Sequence, residues 1–238
     1  MLAVPAAAAP TQPPIEEAPL APAAVESSGM AQLFRIPGGV DVPADGSPHT
    51  LGIGGYELPA RIDYVAEPAI AQGAHLRACA TNTTGLVLLP GELHVFQATP
   101  SGDEYVGQTP LELTAMNADL PLYLGVNDNV TVKKELVERE TDRGSLLQRS
   151  LRRVTVGYRV TLANHTSAPA RIVLKDHLPV PRNERIKVNV LDLRPQPSAR
   201  TKLEQLTWEL ELSPGEERRV EWRFVVEAPG DAEVTGLP

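Results

Sequence analysis

A strand–turn–strand pattern occurs twice in this chain and limits the possible folds more than any other feature. The two copies are LRACATNTT, residues 76–84, and YRVTLANHT, residues 158–166. Each copy alternates apolar and polar residues, as a half-buried β-strand does, and ends in an Asn-x-Thr turn before a second alternating run. Two such units predict two β-modules of similar architecture. The match is short, so it supports similar architecture better than duplication.

The composition argues against several classes of function. Aromatic residues make up only 4% of the 238 residues, a poor supply for the stacking platforms that bind sugars or single-stranded nucleic acid. The formal net charge is −8, so nucleic acid is not expected as a partner. The single cysteine, Cys79, excludes an internal disulfide. No run of residues approaches the roughly 20 apolar positions that cross a bilayer, so no membrane-spanning segment is expected.

Composition and turn signals divide the chain into four segments. Residues 1–28 are rich in Ala and Pro and predict a disordered linker, which suggests the C-terminal part of a longer protein, or else a plain disordered tail. Residues 29–131 predict a first β-module, residues 132–153 a charged joint, and residues 154–238 a second, immunoglobulin-like β-module. The predicted fold class is all-β, with two β-sandwich-like modules and a long hairpin or extended arm between them.

Alternating runs between turn signals give the positions of the predicted strands. Trp208 and Trp222 lie in the last two of these strands and are expected on the buried side. The hairpin turn TPSGD is expected between the third and fourth strands. The predicted strands are Ala60–Glu67, Ala74–Thr81, Leu93–Ala98, Glu104–Gln108, Leu120–Val126, Val154–Ala163, Ala170–Asp176, Arg185–Leu193, Thr207–Leu212 and Arg218–Glu227.

The joint at 132–153 allows two interpretations. Its first half is acidic and its second half is basic, so a hairpin turning at 142–145 would pair opposite charges across its strands. A helix would mix polar and apolar residues on one face and would be interrupted by Gly144. Extended arms are favoured, although Leu, Glu and Arg are good helix formers.

The joint is also the predicted partner-binding arm. Its self-complementary charge suggests that a protein partner or a second copy of the chain attaches there. The alternative is a solvated hairpin whose charges serve only its own pairing. The candidate residues are Glu135, Glu138, Arg149, Arg152 and Arg153.

No residue pattern predicts catalysis, so no catalytic, cofactor-binding or metal-binding residue is assigned. The five histidines show no metal-ligand spacing. Asp176 and His177 are adjacent on a predicted strand and point to opposite faces, so they are not expected to act as an acid–base pair. Cys79 has no nearby base or cation to activate it and is expected to be a buried structural residue.

Three Asn-x-Thr triplets match the acceptor pattern for glycosylation. We interpret them instead as turns, in which Asn and Thr side chains bond to the neighbouring backbone. Asn82 and Asn164 each end an alternating strand and are predicted to form equivalent structural corners, whereas Asn129 belongs to a different turn.

The order and spacing of four segments resemble the C-terminal conserved domain, of unknown function, of mucoidy-inhibitor-A-like proteins. The resemblance covers about Phe34 to Pro229 and implies no catalytic residues. The family name implies a link to bacterial capsule or exopolysaccharide control. The segments are LRACATNTTGLVLLPGELHVF, PLYLGVNDNVTVKKELVE, YRVTLANHTSAPARIVLKDHLPVPRNERIKV and LTWELELSPGEERRVEWRFVVEAP.

Together these features predict a non-enzymatic, envelope-associated module that recognises a protein partner through loops or exposed sheet edges. The periplasm or cell envelope is favoured over the cytoplasm. One alternative is a hydrolase with a site at the module boundary, which convergent carboxylates or histidines in a cleft would favour. The other is a carbohydrate-binding module of the envelope, which an exposed aromatic strip would favour.

Overall fold

The computed structural model describes residues 24–28, 31–35, 44–47, 49–50, 52, 54–142, 151–232 and 234–237. The chain divides into two compact units, Met1–Glu57 and Leu58–Pro238. Within the described residues all regular secondary structure is β-strand, which confirms the predicted all-β class. No helix among these residues is long and apolar enough to cross a membrane.

The first unit contains a short antiparallel hairpin. Its strands are β1, Ala24–Ser28, and β2, Ala31–Arg35. The sequence analysis assigned residues 24–28 to a linker, and the structure differs there because AVESS pairs residue for residue with AQLFR. This pairing gives the backbone N–H and C=O groups hydrogen-bond partners, which the Ala/Pro-rich composition does not reveal. Residues 1–23 of the predicted linker lie outside the described residues.

The second unit contains the remaining described strands. Their bounds agree closely with the alternating runs of the sequence, because period-two alternation marks a strand with one buried face. In chain order they are β3 (Ala60–Ala66), β4 (Ala74–Thr81), β5 (Gly91–Thr99), β6 (Gly102–Leu111), β7 (Asp119–Val126), β8 (Val130–Asp142), β9 (Leu151–Asn164), β10 (Ala170–His177), β11 (Lys187–Arg194), β12 (Ala199–Arg200), β13 (Gln205–Leu212) and β14 (Glu217–Pro229).

These strands form three sheets. The largest has six strands in the order β12-β13-β10-β3-β4-β7, and the next has four in the order β11-β14-β9-β8. The third is the β5–β6 hairpin alone. All pairs are antiparallel except β3 and β10, which run parallel with Tyr64 opposite Ile172.

One hydrophobic core joins the six-stranded and four-stranded sheets. It takes Ile172 and Leu174 from the larger sheet and Val160 and Leu162 from the smaller one, all fully buried. The Trp208 ring, from β13, stacks on the Trp222 ring, from β14, with centroids 5.6 Å apart. Both indoles are buried, which confirms their predicted place in the core. This pair stabilises the packing of the two sheets in two ways, through the burial of apolar surface and through the stacking of the rings.

The charged joint adopts the extended form. β8 pairs with β9 from Val130 opposite Asn164 to Asp142 opposite Arg153, which confirms extended arms for the described part of 132–153. β14 covers the other edge of β9, so strand pairing on both sides overrides the helix propensity of Leu, Glu and Arg. The expected turn at 142–145 lies outside the described residues from position 143 onward.

The six-stranded sheet combines strands from both predicted modules. β3, β4 and β7 come from residues 29–131, whereas β10, β12 and β13 come from residues 154–238. The parallel β3–β10 pair is the junction between the two sets. Alternation shows which face of a strand is buried, but it does not show which strand becomes its neighbour.

Candidate interaction surface

Exposed apolar side chains concentrate in one stretch of the second unit. Eight of the sixteen large apolar side chains found exposed lie between residues 89 and 126, a minor part of the described chain. Single exposed apolar residues are ordinary, whereas a contiguous patch of them is a candidate interaction site, and Phe96 and Tyr105 are in contact here. We call this group the hairpin surface. Its members are Leu89, Phe96, Tyr105, Val106, Leu113, Met116, Tyr123 and Val126.

The β5–β6 hairpin forms the centre of this surface. The Thr99 hydroxyl donates to the Gly102 carbonyl at 2.6 Å and closes the turn that the sequence predicted at TPSGD. The register shifts between Val95 and Phe96, which leaves Val106 as an extra residue on β6. Such a bulge turns neighbouring side chains in new directions. Tyr105 and Val106 are both exposed although they are adjacent, as are the residues of β6 from Gly102 to Glu104, so this end of the hairpin is open on both faces.

Three aromatic rings lie side by side on the hairpin. The Phe96 and Tyr105 centroids are 5.4 Å apart with the rings at 61°, an edge-to-face contact. The His94 ring lies 6.2 Å from Tyr105 at 41°. Edge-to-face pairs stabilise one another, so the rings hold a fixed arrangement while they remain exposed. Because they are not coplanar, they present a ridged surface and not a flat platform.

A groove between β6 and β7 extends the surface. It has a volume of about 300 Å³ and is lined by Thr109, Pro110, Leu113, Leu120 and Tyr123. Among the described strands β7 ends the six-stranded sheet, and β6 packs beside it without pairing. The groove thus carries apolar side chains next to β7, together with the acidic Glu112 and Asp119.

The Asn82 corner fixes both ends of the segment that carries the hairpin surface. Asn82 is fully buried, and its Nδ2 donates to the carbonyls of Leu86 (2.7 Å), Thr114 (3.2 Å) and Ala115 (3.0 Å). Its Oδ1 accepts from the backbone N–H and the hydroxyl of Thr84, at 3.2 and 2.7 Å. One side chain therefore clamps the chain before β5 to the chain after β6.

The Asn164 corner repeats this arrangement. Nδ2 of the buried Asn164 donates to the carbonyls of Ala168 (2.9 Å), Leu212 (3.0 Å) and Ser213 (3.2 Å). Oδ1 accepts from the N–H and the hydroxyl of Thr166, at 2.9 and 2.7 Å. The equivalence predicted for Asn82 and Asn164 is confirmed. Burial also keeps both amides from a glycosylating enzyme, as the turn interpretation expects.

The two corners agree in their backbone as well. The carbonyls of Asn82 and Asn164 accept from the N–H groups of Asn117 and Gly215, both at 2.8 Å. Asn117 has φ of 60° and Gly215 has φ of 73°, so each sits in the left-handed region that its turn requires. A loop of either sequence, TAMNAD or LSPGEE, can therefore close the same corner. The exposed Asn129 contributes its backbone carbonyl to His165 and belongs to another turn, as predicted.

Two acidic residues of the predicted partner-binding arm are engaged within their own sheet. Glu135 lies 2.9 Å from Lys133, whose hydrogen bond holds the pKa of Glu135 below its usual value. A Glu138 oxygen lies 2.7 Å from the Arg223 Nε. These contacts favour the alternative in which the charges serve their own strands.

The basic half of the arm is described only in part. The Arg153 Nε lies 2.8 Å from Glu227, on β14, although the register places Asp142 opposite Arg153. Arg152 is half-buried on β9. Arg149 lies outside the described residues. The structure thus brings Glu135, Glu138 and Arg153 onto one sheet, but each pairs with a residue that the sequence analysis did not name.

Asp176 and His177 were expected to point to opposite faces, but the His177 Nδ1 lies 3.9 Å from an Asp176 oxygen, so that expectation is wrong in degree. The buried Asp176 carboxylate accepts from the Lys134 Nζ at 2.7 Å, while His177 is exposed. The same ammonium lies 4.6 Å from the Tyr158 ring centroid and 5.3 Å from that of Trp222. Burial, together with the Asp176 charge, raises the pKa of Tyr158. This cluster ties β8 to β10 across the two sheets.

A polar groove of about 720 Å³ lies over β3, β4 and β7. The Arg77 guanidinium binds the buried Asp63 through two hydrogen bonds, of 2.8 and 2.7 Å, and this carboxylate raises the pKa of Arg77. Arg61 and Cys79 also line the groove. Cys79 is half-buried, so the expectation of a fully buried thiol is wrong in degree. Its neighbours on β3 and β7 are Arg61 and Pro121, which are not general bases, but Arg61 and Arg77 are cations, so the expectation that no cation lies near Cys79 is wrong.

Metal-ligating residues are dispersed in the described part of the chain. No group of three or more His, Cys, Asp or Glu residues there is arranged to hold a metal ion.

Residues 3–230 match the family model described as a domain of unknown function, DUF4139. The chain belongs to this family. The match spans both Asn corners and the whole hairpin surface, so these features lie inside the family domain. No curated protein and no solved structure matches the chain.

The sequence analysis missed the hairpin surface, although a signal for it exists. In LHVF the apolar residues Leu93, Val95 and Phe96 occupy both parities of the strand, so neither face is the polar one. Such a strand must either be buried on both faces or expose an apolar face. The total aromatic content is low, and this concealed that Phe96 and Tyr105 lie together.

Proposed function

We propose that this chain is a non-enzymatic interaction module that binds a protein partner through the hairpin surface. The observation that carries the proposal is the concentration of exposed apolar side chains on β5, β6 and β7, centred on the Phe96–Tyr105 pair. Aromatic anchors of this kind dominate binding energy when a partner removes them from water.

The strand arrangement supports a β-type partner. β5 and β6 pair only with each other among the described strands, and β7 ends the six-stranded sheet. Free edges next to apolar pockets are the features that strand-adding peptides use, because main-chain bonds give affinity and pockets give selectivity. The groove along β6 and β7, with Leu113 and Tyr123, supplies such a pocket.

An envelope-associated role, of the kind suggested by mucoidy-inhibitor-A-like proteins, forms the finer part of the proposal. It is supported by the four resembling segments, which lie within the matched family region. The net charge of −8 suits a protein whose specific contacts are apolar and whose remaining surface resists non-specific binding to anionic polymers.

Site-specific photo-crosslinking tests the hairpin surface directly. We expect a benzophenone amino acid at position 96 to crosslink one defined protein in the native host, and the replacement Tyr105→Ser to reduce that product several-fold. The same probe at position 203, where Leu203 is 79% exposed outside the hairpin surface, is the matched control. Equal amounts of the same crosslinked product from positions 96 and 203 would show that the hairpin surface is not the binding site.

The charged arm is the second candidate surface for a partner or a second copy. Its support is the opposite charge of β8 and β9 near their described ends, with Asp142 opposite Arg153. The test is the replacement of Arg149, Arg152 and Arg153 by Glu. Sedimentation should then shift towards monomer, and high salt should act in the same direction because exposed charges are screened.

The carbohydrate-binding alternative has one supporting observation, the exposed rings of His94, Phe96 and Tyr105. Sugar platforms present flat ring faces, whereas Phe96 and Tyr105 meet at 61°. A pull-down on insoluble bacterial exopolysaccharide distinguishes the two functions, because a sugar site retains the protein there and a protein-binding site does not. The hydrolase alternative would need convergent acid, base or metal ligands, and the described ranges hold no group of three or more His, Cys, Asp or Glu residues that could bind a metal ion.

A further inference from the structure

A cavity of about 410 Å³ lies at one end of the four-stranded sheet, where β11 and β14 begin and end. Val188 of β11 and Val226 of β14 are opposite one another in register and form its floor. The loop 179–186, between β10 and β11, forms one wall, and residues 234–237 form the other. The volume lies in the range of roughly 300–1,000 Å³ that is usual for small-molecule sites.

The loop wall is fastened to the chain that precedes the other wall. The Arg185 guanidinium donates to both oxygens of Asp231, at 2.6 and 2.9 Å. The backbone N–H of Arg185 donates to the Asn183 Oδ1 at 3.0 Å, and the N–H of Ile186 donates to the Asn183 carbonyl at 2.9 Å. These bonds set the shape of the loop before any ligand enters, which lowers the entropy cost of binding.

The interior of the cavity is apolar. Pro179, Ile186, Val234 and Leu237 line it, and the last three also pack against the hydrophobic core. Apolar walls that are continuous with a core favour an alkyl or aromatic group over water.

The rim of the cavity carries donors. Arg182, Asn183 and Thr235 lie there. Arg182 is exposed and forms no ion pair with any residue in the described ranges. The Asn183 Oδ1 already accepts from Arg185, so its amide nitrogen is the group that remains to face a ligand. An unpaired cation beside two further donors is complementary to an anionic acceptor group.

We infer that this cavity binds a small amphiphilic carboxylate. The alkyl part lies on the Val188–Val226 floor, and the carboxylate accepts from Arg182 at the rim. The site shares no residue with the hairpin surface. The inference therefore goes beyond the proposed function and is tested independently of it.

Calorimetry and NMR on the whole chain test the inference with octanoate, octanol and butyrate. Octanoate should bind saturably with one site and shift the methyl signals of Ile186, Val226 and Leu237. Octanol lacks the charge and butyrate lacks the apolar length. Each should therefore bind at least about tenfold more weakly than octanoate. Equal binding of octanoate and octanol, equal binding of octanoate and butyrate, or octanoate shifts at other methyl groups would each overturn the inference.

Matched variants locate the carboxylate. Arg182→Gln should weaken octanoate about tenfold and leave octanol unchanged, because it removes a charge-assisted bond and no apolar wall. Lys202→Gln, which removes an exposed cation from the β12–β13 turn, should leave both ligands unchanged. An unchanged octanoate affinity in Arg182→Gln, or an equal loss in Lys202→Gln, would show that Arg182 does not receive the carboxylate.

Discussion

Asn82 and Asn164 each satisfy three backbone carbonyls with a single amide group. Several of these carbonyls also accept from a backbone N–H: Thr114 from Leu88, Ala115 from Ala118, and Ser213 from Glu216. Each asparagine is fully buried, and one hydrogen bond of this kind contributes about 0.5–1.5 kcal/mol net, so the bonds of the amide together stabilise the corner. The two corners therefore depend on this residue type and not merely on a polar turn.

We expect Asn82→Val and Asn164→Val each to lower the free energy of unfolding by about 3 kcal/mol, because the corner loses all the hydrogen bonds of a buried amide. Asn→Asp should be nearly as damaging, since a carboxylate accepts hydrogen bonds and cannot donate to carbonyls. Urea denaturation measures both. Asn129→Val is the control and should cost much less, because that side chain is exposed. Neutral replacements at both corners would refute the role assigned to the amides.

Glu216 adds a pH dependence to the second corner. The Ser213 N–H donates to its carboxylate at 2.8 Å and Arg218 donates to it as well, and these contacts hold the pKa of Glu216 below its usual value. A carboxyl with a lowered folded-state pKa stabilises the fold above its unfolded pKa, about 4.3, and this stabilisation is lost as the pH falls through the folded value. Glu216→Gln should therefore be less stable than the wild type at pH 7 and similar to it near pH 3. Urea unfolding at the two pH values measures this difference in the free energy of unfolding. The same difference at both pH values would contradict a stabilising role for the ionised Glu216.

At the scale of elements, β8 and β10 are joined across the two sheets by one ion pair. The Asp176 side chain is 1% exposed and its partner Lys134 is 21% exposed. Removing one member of a buried pair leaves an uncompensated charge, whereas replacing both by apolar groups is often close to neutral.

We expect Lys134→Met to destabilise the protein by about 3–5 kcal/mol and the double replacement Lys134→Met with Asp176→Leu to recover most of that loss. Lys133→Met is the neighbouring control. It breaks the exposed pair with Glu135 and should cost about 1 kcal/mol or less. A double-mutant cycle in urea measures the coupling. If the double replacement is no better than Lys134→Met alone, the pair is not the reason for the loss.

The elements themselves were largely accessible from the sequence, whereas their partners were not. β4 begins and ends where alternation placed it, and the Asn corners followed from residue type alone. Lys134 and Asp176 lie on predicted strands, but nothing local shows that β8 and β10 belong to facing sheets. The hairpin surface could not be predicted for a related reason. The exposure of Phe96 depends on whether another strand packs over β5, and the local sequence does not show this.

At the scale of the whole molecule, one core and one shared sheet should make the second unit unfold as a whole. The six-stranded sheet takes strands from both sides of the 132–153 joint, and the Trp208–Trp222 stack lies between the sheets. We expect one calorimetric transition for residues 58–238, with calorimetric and van't Hoff enthalpies in agreement. Two resolved transitions would instead favour two modules that fold separately. A matched fragment, residues 154–238 alone, should not give a cooperative transition, because β10 would lose its β3 neighbour.

The parallel pairing of β3 with β10 also bears on how the chain is made. Tyr64 and Ile172 are neighbours in the sheet but more than a hundred positions apart in the chain. At a synthesis rate of about 5–20 residues per second, β3 leaves the ribosome several seconds before its neighbour exists. During that interval one side of β3 is an open edge, and open edges recruit the strands of other nascent chains. The newborn protein should therefore be most prone to aggregate on polysomes, and bound chaperone should be released only after residues near 177 have emerged.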